Sequence, residues 1–237
     1  MPLYDAIFKR KSCRKYMETP LPSETLHAIE AAIASFAPLY QNMPLQYRFT
    51  TETKGVFKVQ APHYLIVSGA GATGEEEQAG FLYEQLVLWL DTQGIGSVWL
   101  GKAKDANLTT KNDIIALAFG APAEPLHRTM DDFRRKPIGE ITNAPKDPIM
   151  RAVHLAPSGM NLQPWYLEKE DAATALYLQK IKAPLSLLYK KTAVDMGIAL
   201  SHYALACAHH EKPFSFTRVQ NEPAKTKKGY TLFGKIT

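Results

Sequence analysis

The sequence predicts an α+β chain built from two diverged halves, and three observations point there. Helix-period apolar patterns and short strand-like runs are both present. They do not repeat in the regular strand-helix order of a doubly wound parallel sheet. Matching residues also recur in the same order at shifts of 117, 119 and 122 residues.

A chain of 237 residues can bury one large core or two small ones. Hydrophobic content of 46% with 22% charge fits a folded globular chain rather than a disordered one. No apolar run reaches the roughly 18 residues of a membrane span. The start, Met-Pro-Leu-Tyr-Asp, lacks the basic and apolar regions of a secretory signal. Cys13 and Cys207 make no disulfide framework, so a cytoplasmic location is expected. Net charge is +5 and the pI about 9.0. The basic residues are dispersed apart from short runs at Lys9–Lys15, Arg134–Lys136 and Lys225–Lys228, so the charge does not decide between nucleic acid and an anionic cofactor or nucleotide.

Leu3 to Phe8 reads as a short helix running into five cations between Lys9 and Lys15. Thr19-Pro20-Leu21-Pro22 breaks the chain, and Ser23 is the expected N-cap of a helix with Leu26, Ile29, Ile33 and Phe36 on its core stripe. His63–Ser68 reads as a buried strand. Gly69-Ala70-Gly71-Ala72-Thr73-Gly74 then matches the dinucleotide-binding pattern G-x-G-x-x-G. Glu75, Glu76 and Glu77 argue against it, because they fill the helical turn where a pyrophosphate needs positive potential. Phe81–Leu90 is apolar on nearly every side, as in a central helix, and stops at the glycine C-cap Gln93-Gly94. Gly96–Gly101 and Ile114–Phe119 read as strands.

The second half opens on a helix pattern (Ile149, Ala152, Val153, Ala156), a polar loop and the strand Trp165–Leu167. The loop Ala156-Pro157-Ser158-Gly159-Met160-Asn161-Leu162-Gln163-Pro164-Trp165 combines a fixed φ, a free glycine and amides that both donate and accept. It suits the edge of a planar, polar-rimmed ligand, or an ordinary turn. A long apolar helix is expected from about Ala193 to His209, with His202, Cys207, His209 and His210 too unevenly spaced for a metal set.

Two of these stretches resemble a known family. Ala-Pro-Ser-x-x-Asn-x-Gln-Pro-Trp is similar to the FMN-contacting loop of nitroreductase-like flavoproteins, and Arg10-Lys11-Ser12-Cys13-Arg14 resembles their Arg-x-Ser-x-Arg arm. Ile95–Gly101 resembles the stretch that runs along the isoalloxazine, Arg135 stands where the family has a second phosphate contact, and Asp195-Met196-Gly197 matches a frequent Asp-x-Gly.

The resemblance implies a nitroreductase-type fold: a central mixed or antiparallel sheet flanked by helices. It implies bound FMN, held by Arg10, Lys11, Ser12, Arg14, Trp99, Leu100, Gly101, Arg135, Pro157, Ser158 and Asn161. It also implies NAD(P)H as hydride donor and a nitroaromatic or quinone as acceptor. No catalytic acid or base and no metal are expected, and neither nucleic acid nor a membrane as partner.

The internal echo bears on how the site is shared. The halves, 1–143 and 144–237, are expected to be two copies. The first keeps the arginine arm, and the second keeps the polar loop. One complete site per chain then follows, in a monomer acting as a pseudodimer. A flavin-binding protein without turnover and a basic nucleic-acid binder are the alternative readings.

Overall fold

The computed structural model describes residues 2–55, 59–108, 110–219 and 228–237. Helix α1 (Leu3–Ile7) is followed by α2 (Ser23–Ser35). Ser23 is the first helical residue of α2, not its cap. Pro22 takes the cap position with no side-chain hydrogen bond, since a proline with its fixed φ sets the entry angle by itself. Strand β1 (Gln46–Thr50), the short β2 (Thr53–Lys54) and the fully buried β3 (His63–Ser68) lead to α3 (Glu75–Thr92). Gly94, with φ +74°, ends α3 in the left-handed conformation that glycine adopts without strain. Strands β4 (Gly96–Leu100), β5 (Lys104–Asp105) and β6 (Asp113–Gly120) complete the first half.

In the second half, Asp147 caps α4 (Pro148–His154) by accepting the Ile149 N–H at 2.9 Å, with Pro148 at the first helical position. Strands β7 (Trp165–Lys169) and β8 (Thr174–Gln179) form a hairpin. Helices α5 (Leu185–Leu188) and α6 (Thr192–His209) follow, then β9 (Phe216–Arg218) and β10 (Tyr230–Ile236). The sequence word Lys-x-x-Ala-Pro occurs at Lys58–Pro62, just before β3, and again at Lys180–Pro184 in the second half, where no strand follows it directly. There the hairpin closes at Glu170, whose N–H reaches the Ala173 carbonyl, so β8 precedes the word and Ala183-Pro184 leads into a helix.

Eight of the ten described strands lie in two four-stranded sheets, one in each half, rather than in one central sheet. Their spatial orders are β1-β3-β6-β4 and β7-β8-β10-β9, and every pairing in them is antiparallel. Taken in chain order, the strands of each sheet sit first, second, fourth, third. A small ribbon joins β2 to β5.

Helices α3 and α6 carry 18 residues each, and Thr192 follows Glu75 by 117 residues. Gly197 follows Gly80, and Val194 follows Glu77, by the same interval. The contact between the helices is reciprocal. A Cβ on Gly80 would lie 2.0 Å from the Val194 carbonyl oxygen, and a Cβ on Gly197 would lie 2.0 Å from that of Glu77. Residues at the same interval along the two helices thus meet reciprocally, with the mutual geometry of an isologous contact. One hydrophobic core runs from Leu65, Val67 and Leu117 through both helices to Leu167, Leu176 and Phe233. Strand alternation turns Tyr64, Ile66, Ala116 and Ala118 to the opposite face of the first sheet. No helix among the described residues is long and apolar enough to cross a membrane.

Candidate functional site

The G-x-G-x-x-G turn is filled from within. The Glu75 side chain, 5% exposed, accepts the N–H groups of Ala70 (2.7 Å), Gly71 (2.8 Å) and Ala72 (3.1 Å). A nest of backbone N–H groups that could hold a phosphate therefore holds the chain's own carboxylate. Glu76 and Glu77 are committed as well, to Lys191 at 2.7 Å and to Arg218.

The cleft lies elsewhere, where the N-terminal arm meets the Pro157–Asn161 loop. Its main cavity, about 910 Å³, is lined by Arg10, Lys11, Ser12, Arg14, Arg135, Pro157, Ser158 and Asn161, residues more than a hundred positions apart in sequence. Two smaller cavities, about 120 and 270 Å³, share Arg14 and Met160 with it and reach Trp99 and Gly101, the second of them also Leu100. Every residue that the sequence nominates lines one of these joined spaces.

The arm is placed by backbone pairing. Arg10 bridges to His127, Cys13 N–H reaches the Ser97 carbonyl, and Arg128 N–H reaches the Lys9 carbonyl. This brings in Arg128, which sequence reasoning missed because it sits in no local pattern. Seven cations line the main cavity (Arg10, Lys11, Arg14, Lys15, Arg128, Arg134, Arg135) against the carboxylates Glu124 and Asp132.

Three of the guanidiniums carry a buried nitrogen with no hydrogen-bond partner among the described residues: Arg10 Nη1, Arg128 Nε and Arg135 Nε. Burial, with Arg10 beside it, pushes Arg128 down to about 10. Burial, with Arg128 and Arg10, pushes Arg135 down to about 9. Phe133 lies under both, with its ring centre 3.5 Å from the Arg128 guanidinium carbon and 5.6 Å from that of Arg135. Clustered cations with unspent donors are a cradle for a compact oxyanion.

The nominated residues are not alike in the cleft. Arg10 is 3% exposed and its Nη2 donates to Ser12 Oγ at 3.2 Å, whereas Arg14 is exposed at the mouth. Asn161 spends its amide on the chain: Oδ1 accepts from Arg135 Nη1 (2.9 Å) and Nδ2 donates to the Arg134 carbonyl. It thereby holds Arg135 in place, across the two halves. Ser158 Oγ accepts the Gln163 N–H at 2.8 Å, and Gln163 Oε1 accepts the Lys136 N–H at 3.0 Å. Lys136, which could have been solvated, is pinned through Nζ to the Gln163 carbonyl and to Gln179. Met160, Asn161 and Gln163 all have φ between 45° and 56°, a strained left-handed run at the lip of the cleft. Trp99 commits its indole N–H to Glu84 Oε2 at 2.9 Å, and Glu84 Oε1 meets His202 Nε2 at 3.1 Å, so that wall is fixed by a buried link from β4 through α3 to α6.

Together the fold and the cleft define a two-sheet α+β protein with an anion-ready seam between its halves. The family model described as "Putative TM nitroreductase" matches residues 2–207, and the chain belongs to this family. A solved structure described as a "putative nitroreductase" from Thermotoga maritima has the same fold. Its TM-score is 0.69, with 22% identity, 100% of this chain covered and 92% of that one. A curated relative, "Uncharacterized protein MT1398" of Mycobacterium tuberculosis, is 22% identical over 201 residues, which is 75% of this chain. The match covers 27% of that protein, so this chain spans about a quarter of its length. An FMN-dependent nitroreductase from Clostridium difficile matches 57% of this chain and 97% of its own length at 13% identity, with a TM-score of 0.45, too slight a likeness to argue from.

Proposed function

We propose that the chain is an FMN-dependent oxidoreductase that passes a hydride from NAD(P)H to an electron-poor acceptor of nitroaromatic or quinone type. The flavin site is single and shared by two copies, 1–143 and 144–237, of a monomeric pseudodimer. One observation carries the reading: the arginine arm of one half and the polar loop of the other line one cleft, and three buried guanidinium nitrogens of its arginines have no hydrogen-bond partner among the described residues.

In this reading Arg10, Arg128 and Arg135 hold the phosphate, with Lys11 at the rim and the Ser12 hydroxyl adding a donor. Arg14 takes the polar edge of the ring, where a cation favours the reduced, anionic form. Trp99, Leu100 and Gly101 form one wall and Pro157 and Ser158 the other, while Asn161 orients Arg135. When bound, FMN supplies the centre that accepts and delivers the hydride; the chain positions it and keeps water off one face. Arg10, Arg128 and Arg135 are at least half-buried in the cleft while Arg14, Lys15 and Arg134 are exposed around it, and the sunken trio favours a compact anion over a nucleic-acid backbone.

The test is steady-state turnover. The purified chain, loaded with FMN, is expected to oxidise NADH or NADPH in the presence of a quinone or a nitroaromatic, and not after the flavin is stripped. A yellow protein that oxidises neither nucleotide with either acceptor is a flavin carrier instead. A colourless protein with salt-sensitive DNA binding overturns the flavin reading altogether.

A further inference from the structure

The cavity of about 120 Å³ between β4 and the first turns of α6 has a polar group that the proposed function leaves unused. Asp195 lines it and is 1% exposed. Its Oδ1 accepts the Gly159 N–H at 2.9 Å and the Tyr189 O–H at 2.9 Å. Its Oδ2 is buried with no hydrogen-bond partner among the described residues.

The neighbouring charges do not offset a carboxylate here. Lys191, at the start of α6, is paired with Glu76 of α3. Glu77 of α3 is paired with Arg218. Arg14 also lines the cavity but from the exposed mouth, and Tyr189 is held neutral by burial. A buried carboxylate with one bare oxygen is costly, whereas a carboxylic acid in the same place has one oxygen that accepts twice and one that donates.

We propose that Asp195 stands as a neutral carboxylic acid and donates its Oδ2–H to a hydrogen-bond-accepting atom of the ring system bound in this cavity. The proposal rests on the flavin reading and adds a binding residue to it. Burial pushes the carboxyl up to about 8, against the pull of the bonds from Gly159 and Tyr189. The native chain therefore keeps a proton that the unfolded chain releases near pH 4. The stabilisation is complete below that value and is lost as pH rises through about 8. Above it, the free oxygen becomes a charge facing an acceptor, and ligand affinity falls.

The experiment has two arms on the intact chain. FMN affinity, read by quenching of flavin fluorescence, is expected to drop about tenfold in the wild type as pH rises past about 8. Asp195→Asn keeps a donor that cannot ionise, so its affinity should stay near the wild type's low-pH value throughout. Tyr189→Phe removes a donor that favours the carboxylate, so the drop should move to higher pH. A wild type whose affinity is flat across that range, or an Asp195→Asn variant that falls in parallel with it, overturns the proposal.

The second arm is the infrared carbonyl band of a protonated carboxyl in the flavin-free chain. It should be present at neutral pH, absent in Asp195→Asn and lost above about pH 8. Its absence at neutral pH overturns the proposal whatever flavin does. Failure of FMN to bind at any pH sinks the flavin reading and the donor role with it, while the carbonyl band still decides whether the acid is neutral.

Discussion

Gly197→Ala is expected to destabilise the chain by at least about 2 kcal/mol, and Gly80→Ala by a similar amount. Alanine gains about 1 kcal/mol over glycine in a helix interior. The new methyl, however, would stand 2.0 Å from a backbone carbonyl of the facing helix, and a backbone cannot rotate out of the way. Over-packing costs typically 1–3 kcal/mol and more where nothing can yield, so the steric term wins. In a chain of this size the melting temperature should fall by roughly 4 °C or more. Both substitutions push the same two helices apart, so the double variant should cost less than the sum. Gly139→Ala, where the added carbon meets nothing within 4 Å, is the control and should be neutral. Unchanged melting in Gly197→Ala would contradict the tight crossing of α3 and α6.

Arg128→Met should move two properties in opposite directions. FMN affinity is expected to fall about ten- to a hundredfold, since a charge-assisted contact to phosphate is worth roughly 1.5–3 kcal/mol. The flavin-free chain should melt higher. It loses a half-buried guanidinium with a buried, unspent Nε and the repulsion between that charge and both Arg10 and Arg135, which outweigh its attraction to Asp132. The lost contact with Phe133 opposes this, but methionine still packs on the ring, and a cation over an aromatic face is worth less than the desolvated, unpaired donor. Arg135→Ala is less clean, because it also releases Asn161 and the Leu155 carbonyl. Arg14→Ala should cost least, since Arg14 is exposed. Lower melting in flavin-free Arg128→Met together with unaltered FMN binding would make Arg128 a structural residue.

Elements with a strong period were legible in the sequence: β3, β6 and the apolar body of α3 carry their pattern locally. So were the arm and the loop, which are contiguous words. What escaped was set by contacts between distant segments. Arg10 and Arg14 look equivalent in Arg-x-Ser-x-Arg, yet one is buried and the other exposed, because only the bridge to His127 decides which face of the arm turns inward. Arg128 enters through that same bridge. The amides of Asn161 and Gln163 read as ligand contacts, but Gln163 fastens the loop and Asn161 holds an arginine. The glycine turn at 69–74 imitates a phosphate site until Glu75 is seen to fill it, although the three glutamates that follow were already a warning. Tyr189 and Asp195 meet Gly159 only after α6 folds back on the loop. A Cβ on Gly159 would lie 2.1 Å from the Tyr189 ring, a close approach that no spacing in the sequence announces.

The central claim is one flavin site made by both halves. Titration of FMN into the flavin-free chain, followed by fluorescence and scored against protein concentration, tests it most directly. One FMN bound per 237-residue chain is the predicted result, because the chain has one arginine arm and one polar loop. Two FMN per chain would mean that each half builds its own site, and none would mean that the cleft serves another anion; either result contradicts the account.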